Sequence, residues 1–267
     1  MKFKNKRKII YFGAAGAGFH YCKNSGNMPD FFVDNDKKKH GDSINGIEIK
    51  SPDSLLSENI KKIVITSGYV SQILPQLLDM GINNEVIEIP PKSSLGKHIF
   101  EKIENRIIAA DKLYQIMQVL DKNHKIIAVG GTALGFARDS DFIKWDIDID
   151  LFAPENSKKE VFMLMEQLNY TPNYEGNSLH ANLDLNNGVQ IPISFDFFDS
   201  DSLTFVDKFE EYEWIWPTEM FTNCKKIKIH EKLLNIPSSI DRYLTGVYGK
   251  SWKTPKSDFS YEDYSKS

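Results

Sequence analysis

Three aspartates at alternate positions stand out: Asp146, Asp148 and Asp150, in the run Phe142-Ile143-Lys144-Trp145-Asp146-Ile147-Asp148-Ile149-Asp150-Leu151. Ile147, Ile149 and Leu151 fill the places beside them. On an extended strand alternate residues face opposite sides, so one side is aliphatic and the other carries three carboxylates, successive ones ~6.6 Å apart. Partly desolvated, such a set repels itself, and a divalent cation removes the conflict. Oxygen donors of this kind suit Mg²⁺ or Mn²⁺. The competing reading is an edge strand whose acids face water.

The residues just before favour chemistry. Lys125-Ile126-Ile127-Ala128-Val129 predicts an apolar strand that runs into Gly130-Gly131-Thr132-Ala133-Leu134-Gly135-Phe136-Ala137-Arg138, a glycine turn and a short helix. Glycines let a phosphate approach the backbone, and a helix N-terminus offers it N–H donors. Arg138 and Lys144 bring positive charge, although either suits a solvated surface equally well. Asp196 lies inside Ile191-Pro192-Ile193-Ser194-Phe195-Asp196-Phe197-Phe198. A charge there is costly unless it binds a metal or pairs, for instance with a buried arginine. His180 falls in an expected strand and reads as a hydrogen-bonded structural histidine.

The elements that position these residues follow from periodicity. Residues 9–12, 31–33, 63–66 and 86–89 predict short strands, with helices opened by Ser51-Pro52-Asp53 and spanning 71–80. Strands alternating with helices indicate a small parallel sheet over residues 1–92. Pro90-Pro91-Lys92-Ser93-Ser94-Leu95-Gly96 breaks the pattern and marks the boundary to a second domain, 97–257. A long helix is expected from near Lys97, with Ile99, Ile103, Ile107, Ala110, Leu113, Met117 and Leu120 as one core-facing stripe. The tail after Trp252 is polar and expected to be loosely held.

Gly13-Ala14-Ala15-Gly16-Ala17-Gly18 follows the first strand, and Asp34 ends the second. Gly13, Gly16 and Asp34 are thus the candidate cofactor-binding residues of a dinucleotide fold. Ala15 replaces the second glycine of Gly-x-Gly-x-x-Gly, which favours a structural or partner-binding module. A basic start followed by an apolar stretch could pass for a secretory signal, but strand and turn complete the nucleotide-fold pattern. A composition of 41% hydrophobic and 26% charged residues is that of a soluble globular protein. The net charge of −4 argues against a broad nucleic-acid surface. Cys22 and Cys224 are too far apart in sequence for a metal motif, and a reducing compartment is the simpler reading. No stretch reaches the ~18 apolar residues of a membrane helix, so any membrane association is expected to be peripheral.

The run Gly130 to Leu151 resembles the signature of the LicD family, which includes fukutin-like proteins. In that family a Gly-Gly-Thr turn, a Leu-Gly step and an Arg precede Phe-Ile-x-Trp-Asp and an Asp-x-Asp strand; here the Trp is Trp145 and the pair is Asp148 and Asp150. An acid common in the family is replaced by Ile147. Asp196 is similar to a later family acid, and Tyr243-Leu244, Tyr248-Gly249, Trp252 and Pro255 to its closing segment. The resemblance covers about residues 97 to 257. It implies a nucleotidyltransferase-like fold there, while the region through Ile89, with Phe32-Val33-Asp34-Asn35-Asp36, Gly46 and Ser51-Pro52, resembles the small Rossmann-like domains fused to bacterial glycan-modifying transferases. The expectation is an α/β protein in which a small parallel Rossmann-like domain precedes an α+β nucleotidyltransferase-like domain. The LicD resemblance further implies a metal-dependent phosphotransferase that moves phosphocholine, glycerol phosphate, ribitol phosphate or a similar unit from a CDP-linked alcohol donor to a glycan or lipid-linked glycan acceptor. Asp148, Asp150 and Asp196 would be catalytic and hold Mg²⁺ or Mn²⁺, with Asp196 a third ligand or the general base. Gly130, Gly131, Thr132, Arg138, Lys144 and Trp145 would bind substrate. The expected location is cytoplasmic, at most at the inner face of the membrane. Competing readings are a nucleotidyltransferase making an activated sugar or alcohol, a noncatalytic scaffold of a glycan-assembly complex, and an NAD-dependent oxidoreductase.

Overall fold

The structure is a computed structural model that describes residues 6–120, 125–185, 188–209 and 211–265, without the side chains of Val119 and Leu120. Leu120, the last member of the expected helical stripe, is therefore outside the described side chains, and residues 1–5 of the basic start are outside the described residues. The chain forms two compact units: Met1–Lys97 with Ser257–Asp263, and His98–Lys256 with Tyr264–Ser267.

The first unit contains β1 (Lys8–Phe12), α1 (Gly16–Ser25), β2 (Phe31–Val33), β3 (Ser43–Ile44), β4 (Ile47–Lys50), β5 (Ile60–Ile65), α2 (Val70–Asp79) and β6 (Ile87–Glu88). They make one sheet in the order β3-β4-β2-β1-β5-β6, parallel except at the β3–β4 pair. Alternate residues of the central strands feed two cores. Ile10, Phe12, Ile63 and Ile65 pack with Ile73 and Leu77 of α2, while Tyr11 and Val64 pack with Tyr21 and Cys22 of α1. A sheet covered on both faces explains strands that are apolar throughout. The β3–β4 hairpin extends the sheet beyond the four expected strands; its Asn45–Gly46 turn takes positive φ at both residues, as a two-residue hairpin requires. The polar tail is held more firmly than expected: Lys92 N–H donates to the Phe259 carbonyl at 3.0 Å, and Tyr261 packs on this unit's core.

The second unit contains α3 (Ile103–Leu120), β7 (Ile127–Ala128), α4 (Gly130–Asp139), β8 (Ile149–Pro154), α5 (Lys158–Gln167), β9 (Asn173–Glu175), β10 (Ser178–Asp184), β11 (Gln190–Phe198), β12 (Thr204–Phe209), β13 (Tyr212–Pro217), α6 (Glu219–Thr222), β14 (Lys225–Ile229), β15 (Lys232–Ile236) and α7 (Ile240–Tyr248). Its main sheet has the order β7-β8-β11-β10-β9, with β8 and β11 parallel. One face buries Ile149, Leu151, Leu179, Leu183, Ile193 and Phe195 in the same core as Leu113 and Met117 of α3 and Val161 and Met165 of α5. The opposite face carries the polar alternates. Two hairpins, β12–β13 and β14–β15, complete the unit.

Two expectations are corrected. Helix α3 starts at Ile103 rather than near Lys97, and Ile103 and Ile107 are 48% and 47% exposed. The buried side includes Asn105 and Arg106 instead, because each is satisfied there. Asn105 donates to the Ile99 carbonyl at 2.8 Å, and Arg106 donates to Asp141 at 2.8 Å and to the Phe100 carbonyl at 2.5 Å. A pattern of aliphatic side chains alone misses a helix face that buries paired polar groups. The second correction concerns the acids: strand β8 begins only at Ile149, so Asp146 and Asp148 lie in the segment leading into it, and the three aspartates are not alternate residues of one strand.

Candidate functional site: a glycine turn, a carboxylate sheet face and an aromatic hairpin

The face of the sheet turned away from α3 and α5 is set by register. Asp150 of β8 pairs with Ser194 of β11, and Phe152 with Asp196. Across β10, Ser178 pairs with Asp196 and His180 with Ser194. Side-chain alternation then places Asp150, Ser178, His180, Ser194 and Asp196 on one face. Ser194 Oγ donates to Asp150 Oδ1 at 3.3 Å, and Ser178 Oγ donates to Asp196 Oδ1 in a short hydrogen bond. Burial pushes the Asp196 carboxyl up from its ordinary value, against the pull of Ser178 and His180. His180 lies on its expected strand, and its side chain is exposed. Asp196 is thus held by Ser178 rather than by a buried arginine; the buried Arg106 pairs with Asp141, which also binds His230 Nε2 at 2.7 Å.

The glycine turn is built around the carboxylates. Val129 N–H donates to the Asp150 carbonyl and Asp150 N–H to Thr132 Oγ1, both at 3.0 Å, so the start of α4 is clasped to β8. Gly130 has a φ of 53°, which disfavours any other residue. A Cβ added there would lie 2.6 Å from Asp150 Oδ2, and one on Gly131 would lie 2.5 Å from Asp146 Oδ2. The glycines therefore make room for Asp150 and Asp146 themselves. Gly130 N–H is already used: it donates to Tyr243 Oη at 3.0 Å. Burial holds the Tyr243 phenol well above its ordinary value, so it remains protonated.

Thr132 is buried, with its hydroxyl accepting from Asp150. Arg138 forms a two-pronged pair with its neighbour Asp139, at 2.9 and 2.8 Å. Lys144 is exposed, and Trp145 and Asp148 are half-buried on the segment before β8.

One residue at this site escaped the sequence reading. In β12, Phe205 and Asp207 share a face, and β13 presents Trp214 and Trp216 opposite them. Phe205 packs on Phe152 at 5.6 Å and Phe198 at 5.0 Å, the residues two places after Asp150 and Asp196. Asp207, two places after Phe205, feels the charges of Asp196 and Asp150. Burial first, then those two carboxylates, push Asp207 up to about 7, with the Trp216 hydrogen bond acting the other way. Trp216 Nε1 donates to Asp207 Oδ2 at 3.2 Å. The available signal was the strand Thr204–Phe209, where a carboxylate alternates with Phe205 and Phe209 on an aromatic face.

Among the described residues, no three His, Cys, Asp or Glu side chains are already grouped to hold a metal ion. The donor chemistry nevertheless fits a hard cation: Asp150 and Asp146 crowd one glycine turn, and Asp150 together with Asp196 pushes up the Asp207 carboxyl. An Mg²⁺-type ion commonly takes one or two protein carboxylates and completes its shell with substrate phosphates and water.

In the first unit, the residues considered for a dinucleotide are engaged by the chain itself. A Cβ on Gly13 would lie 2.5 Å from the Thr66 carbonyl oxygen, and one on Gly18 would lie 2.6 Å from that of Gly13. Gly16 faces open space. Asp34 accepts from Ala14 N–H at 2.8 Å, Asp36 N–H at 2.9 Å and Lys39 Nζ at 2.9 Å, and these partners hold its carboxyl below the ordinary value despite burial. Among the described residues no helix is long and apolar enough to cross a membrane.

Comparison with known proteins adds the family. Residues 5–88 match the N-terminal domain of C2185-like proteins. Residues 123–239 match the nucleotidyltransferase domain of LicD/FKTN/FKRP. No curated protein matches the chain. Among solved structures, a UDP-D-quinovosamine 4-dehydrogenase from Vibrio fischeri is 24% identical over 28% of this chain and 72% of its own, with a TM-score of 0.24. The lincomycin-bound lincosamide antibiotic adenylyltransferase LnuA is 10% identical over 48% and 79%, with a TM-score of 0.35. Cid1 in complex with its short product ApU is 16% identical over 47% and 36%, with a TM-score of 0.25. These likenesses are partial, and the α/β architecture rests on the strands and helices themselves. The glycine turn, the carboxylates beside it and Asp196 all fall within residues 123–239, and that part of the chain is a LicD-type nucleotidyltransferase domain.

Proposed function

We propose that the LicD-type domain transfers a substituted phosphate from a CDP-activated alcohol to a hydroxyl of a glycan or lipid-linked glycan, releasing CMP. The supporting observation is the packing of Asp150 against Gly130, which joins a carboxylate to the start of a helix in one rigid unit. Phosphoryl transfer depends mainly on positioning and on neutralising charge; this arrangement supports the positioning, and the neutralisation would come from a cation held by the carboxylates. Asp148 and Asp150 would hold Mg²⁺ or Mn²⁺, with Asp196 as a third ligand or a base. A bound cation supplies charge neutralisation at the phosphates. The chain would supply the rest: backbone at the Gly130–Gly131 turn would approach the donor phosphates, with Gly130 N–H itself kept by Tyr243, Lys144 would add positive charge, or Arg138 on leaving Asp139, and Trp145 would flank the donor. An acceptor hydroxyl attacks the phosphorus bearing the alcohol, and a nearby carboxylate takes its proton. We place the reaction in the cytoplasm, where nucleotide-activated donors are made.

The competing nucleotidyl transfer from a nucleoside triphosphate would use the same turn and carboxylates, and the family's name keeps it in view. The products separate the two. Incubation with CDP-choline, CDP-glycerol and CDP-ribitol and a panel of glycan acceptors should release CMP only when donor and acceptor are both present. Pyrophosphate from nucleoside triphosphates, with no CMP from any CDP-alcohol, would establish the competing reaction instead.

A further inference from the structure

We propose that Asp207 is the acceptor-side catalytic carboxylate, receiving the proton of the attacking hydroxyl; this rests on the phosphotransferase reading above. The geometry comes from the β12–β13 hairpin. Phe205 is seated on Phe152 and Phe198, which follow Asp150 and Asp196 by two residues on parallel neighbouring strands. Asp207 follows Phe205 by two residues on the same face of β12 and is close enough to feel the charges of Asp196 and Asp150. Its carboxylate is aimed by Trp216, which donates to Oδ2. Trp216 is itself fixed: its ring packs on Tyr243 at 5.2 Å and lies against Gly246, where an added Cβ would sit 2.4 Å from Cη2. Tyr243 in turn accepts from Gly130 N–H. The aiming device thus ends on the glycine turn. Oδ1 of Asp207 has no hydrogen-bond partner among the described residues, and the side chain is half-buried. The face of β12 that carries Phe205 and Phe209 therefore holds one carboxylate oxygen ready to accept from a hydroxyl.

In the transfer step a new bond forms between the acceptor oxygen and phosphorus. The acceptor O–H bond breaks and its proton passes to Asp207 Oδ1. The bond from phosphorus to the CMP oxygen breaks, and its electron pair leaves with CMP. Asp148, Asp150 and Asp196 are then left to the donor side.

The test compares wild type with Asp207→Asn and Trp216→Phe, using the CDP-alcohol and acceptor for which wild type releases CMP. Asparagine keeps the shape and can still accept from Trp216, while it cannot take the proton. The expected result is a fall in kcat of about a hundredfold or more, the range for loss of a general base. The donor KM should change little, and the melting temperature should not fall. Trp216→Phe keeps an aromatic ring and removes the aiming hydrogen bond, and should lose roughly tenfold in kcat. Asp207→Asn within a few-fold of wild type, or a loss confined to donor KM, overturns the proposal while leaving the phosphotransferase reading intact. If Asp207→Asn proves unstable, full activity of Trp216→Phe overturns it. Wild type that releases CMP from no combination overturns both.

Discussion

Asp150 is held at four points: its N–H by Thr132, its carbonyl by Val129, its carboxylate by Ser194 and by the surface of Gly130. Asp150→Asn preserves the shape and removes the charge, so transfer should fall by at least about a hundredfold, the scale for one electrostatic stabiliser. Retention of activity would detach Asp150 from the chemistry. Asp207 carries a pH signature that can be read in metal-free protein. Its folded value is raised from 3.8 to about 7. The folded state thus holds this proton more tightly, and the stability linked to it is complete below the unfolded value and lost as pH rises through the folded one. Asparagine mimics the protonated form, so Asp207→Asn should melt above wild type near pH 8, with the gap closing toward about pH 4. An equal gap at both ends would refute the assignment. Asp150 and Asp196 stand out in the sequence as charges that interrupt aliphatic runs, and strand register puts both on one sheet face. Asp207 was not legible in this way, because the register of the β12–β13 hairpin decides which way it faces and which residues it meets.

At the scale of elements, the start of α4 is legible from Gly130-Gly131, but the reason for the glycines is not. Spacing suggests room for a phosphate; the fold shows room for Asp150 and Asp146. Helix α3 shows the same limit. Its aliphatic stripe included Ile103 and Ile107, while Arg106 is the buried residue because Asp141 and two carbonyls satisfy it. Leu113→Ala should cost about 2–5 kcal/mol, as buried leucines do, whereas Ile107→Lys should stay within about 0.5 kcal/mol. Denaturant melts of both variants check this, and equal losses would restore the original stripe. Helix α7 and strand β13 meet where Trp214 donates to the Gly246 carbonyl at 3.1 Å and Trp216 covers Gly246. Gly246→Ala forces the Trp216 ring to move and should destabilise the protein by about 1–3 kcal/mol, as overpacking does. An unchanged melting curve would show that the ring has room to yield.

The whole molecule joins a parallel-sheet unit to a LicD-type domain, and the sequence alone indicated both. Alternating strands and helices revealed the first, and the Gly130–Leu151 run the second. The tail's return to the first unit was hidden, because Lys92 bonds a backbone carbonyl that any residue could supply. In the first unit Asp34 is occupied by Ala14, Asp36 and Lys39, which argues against hydride chemistry there. Calorimetry with NAD and NADP should show no tight site. A micromolar dissociation constant lost on changing Gly16 to a bulky residue would contradict this, since Gly16 has space around it and its substitution disturbs no packing. The group that the LicD-type domain moves is read from the mass of the acceptor after incubation with a CDP-alcohol and Mg²⁺: a gain equal to the phospho-alcohol, lost in excess EDTA, is expected, and a gain equal to a nucleotide, or full transfer in EDTA, would overturn metal-dependent phospho-alcohol transfer.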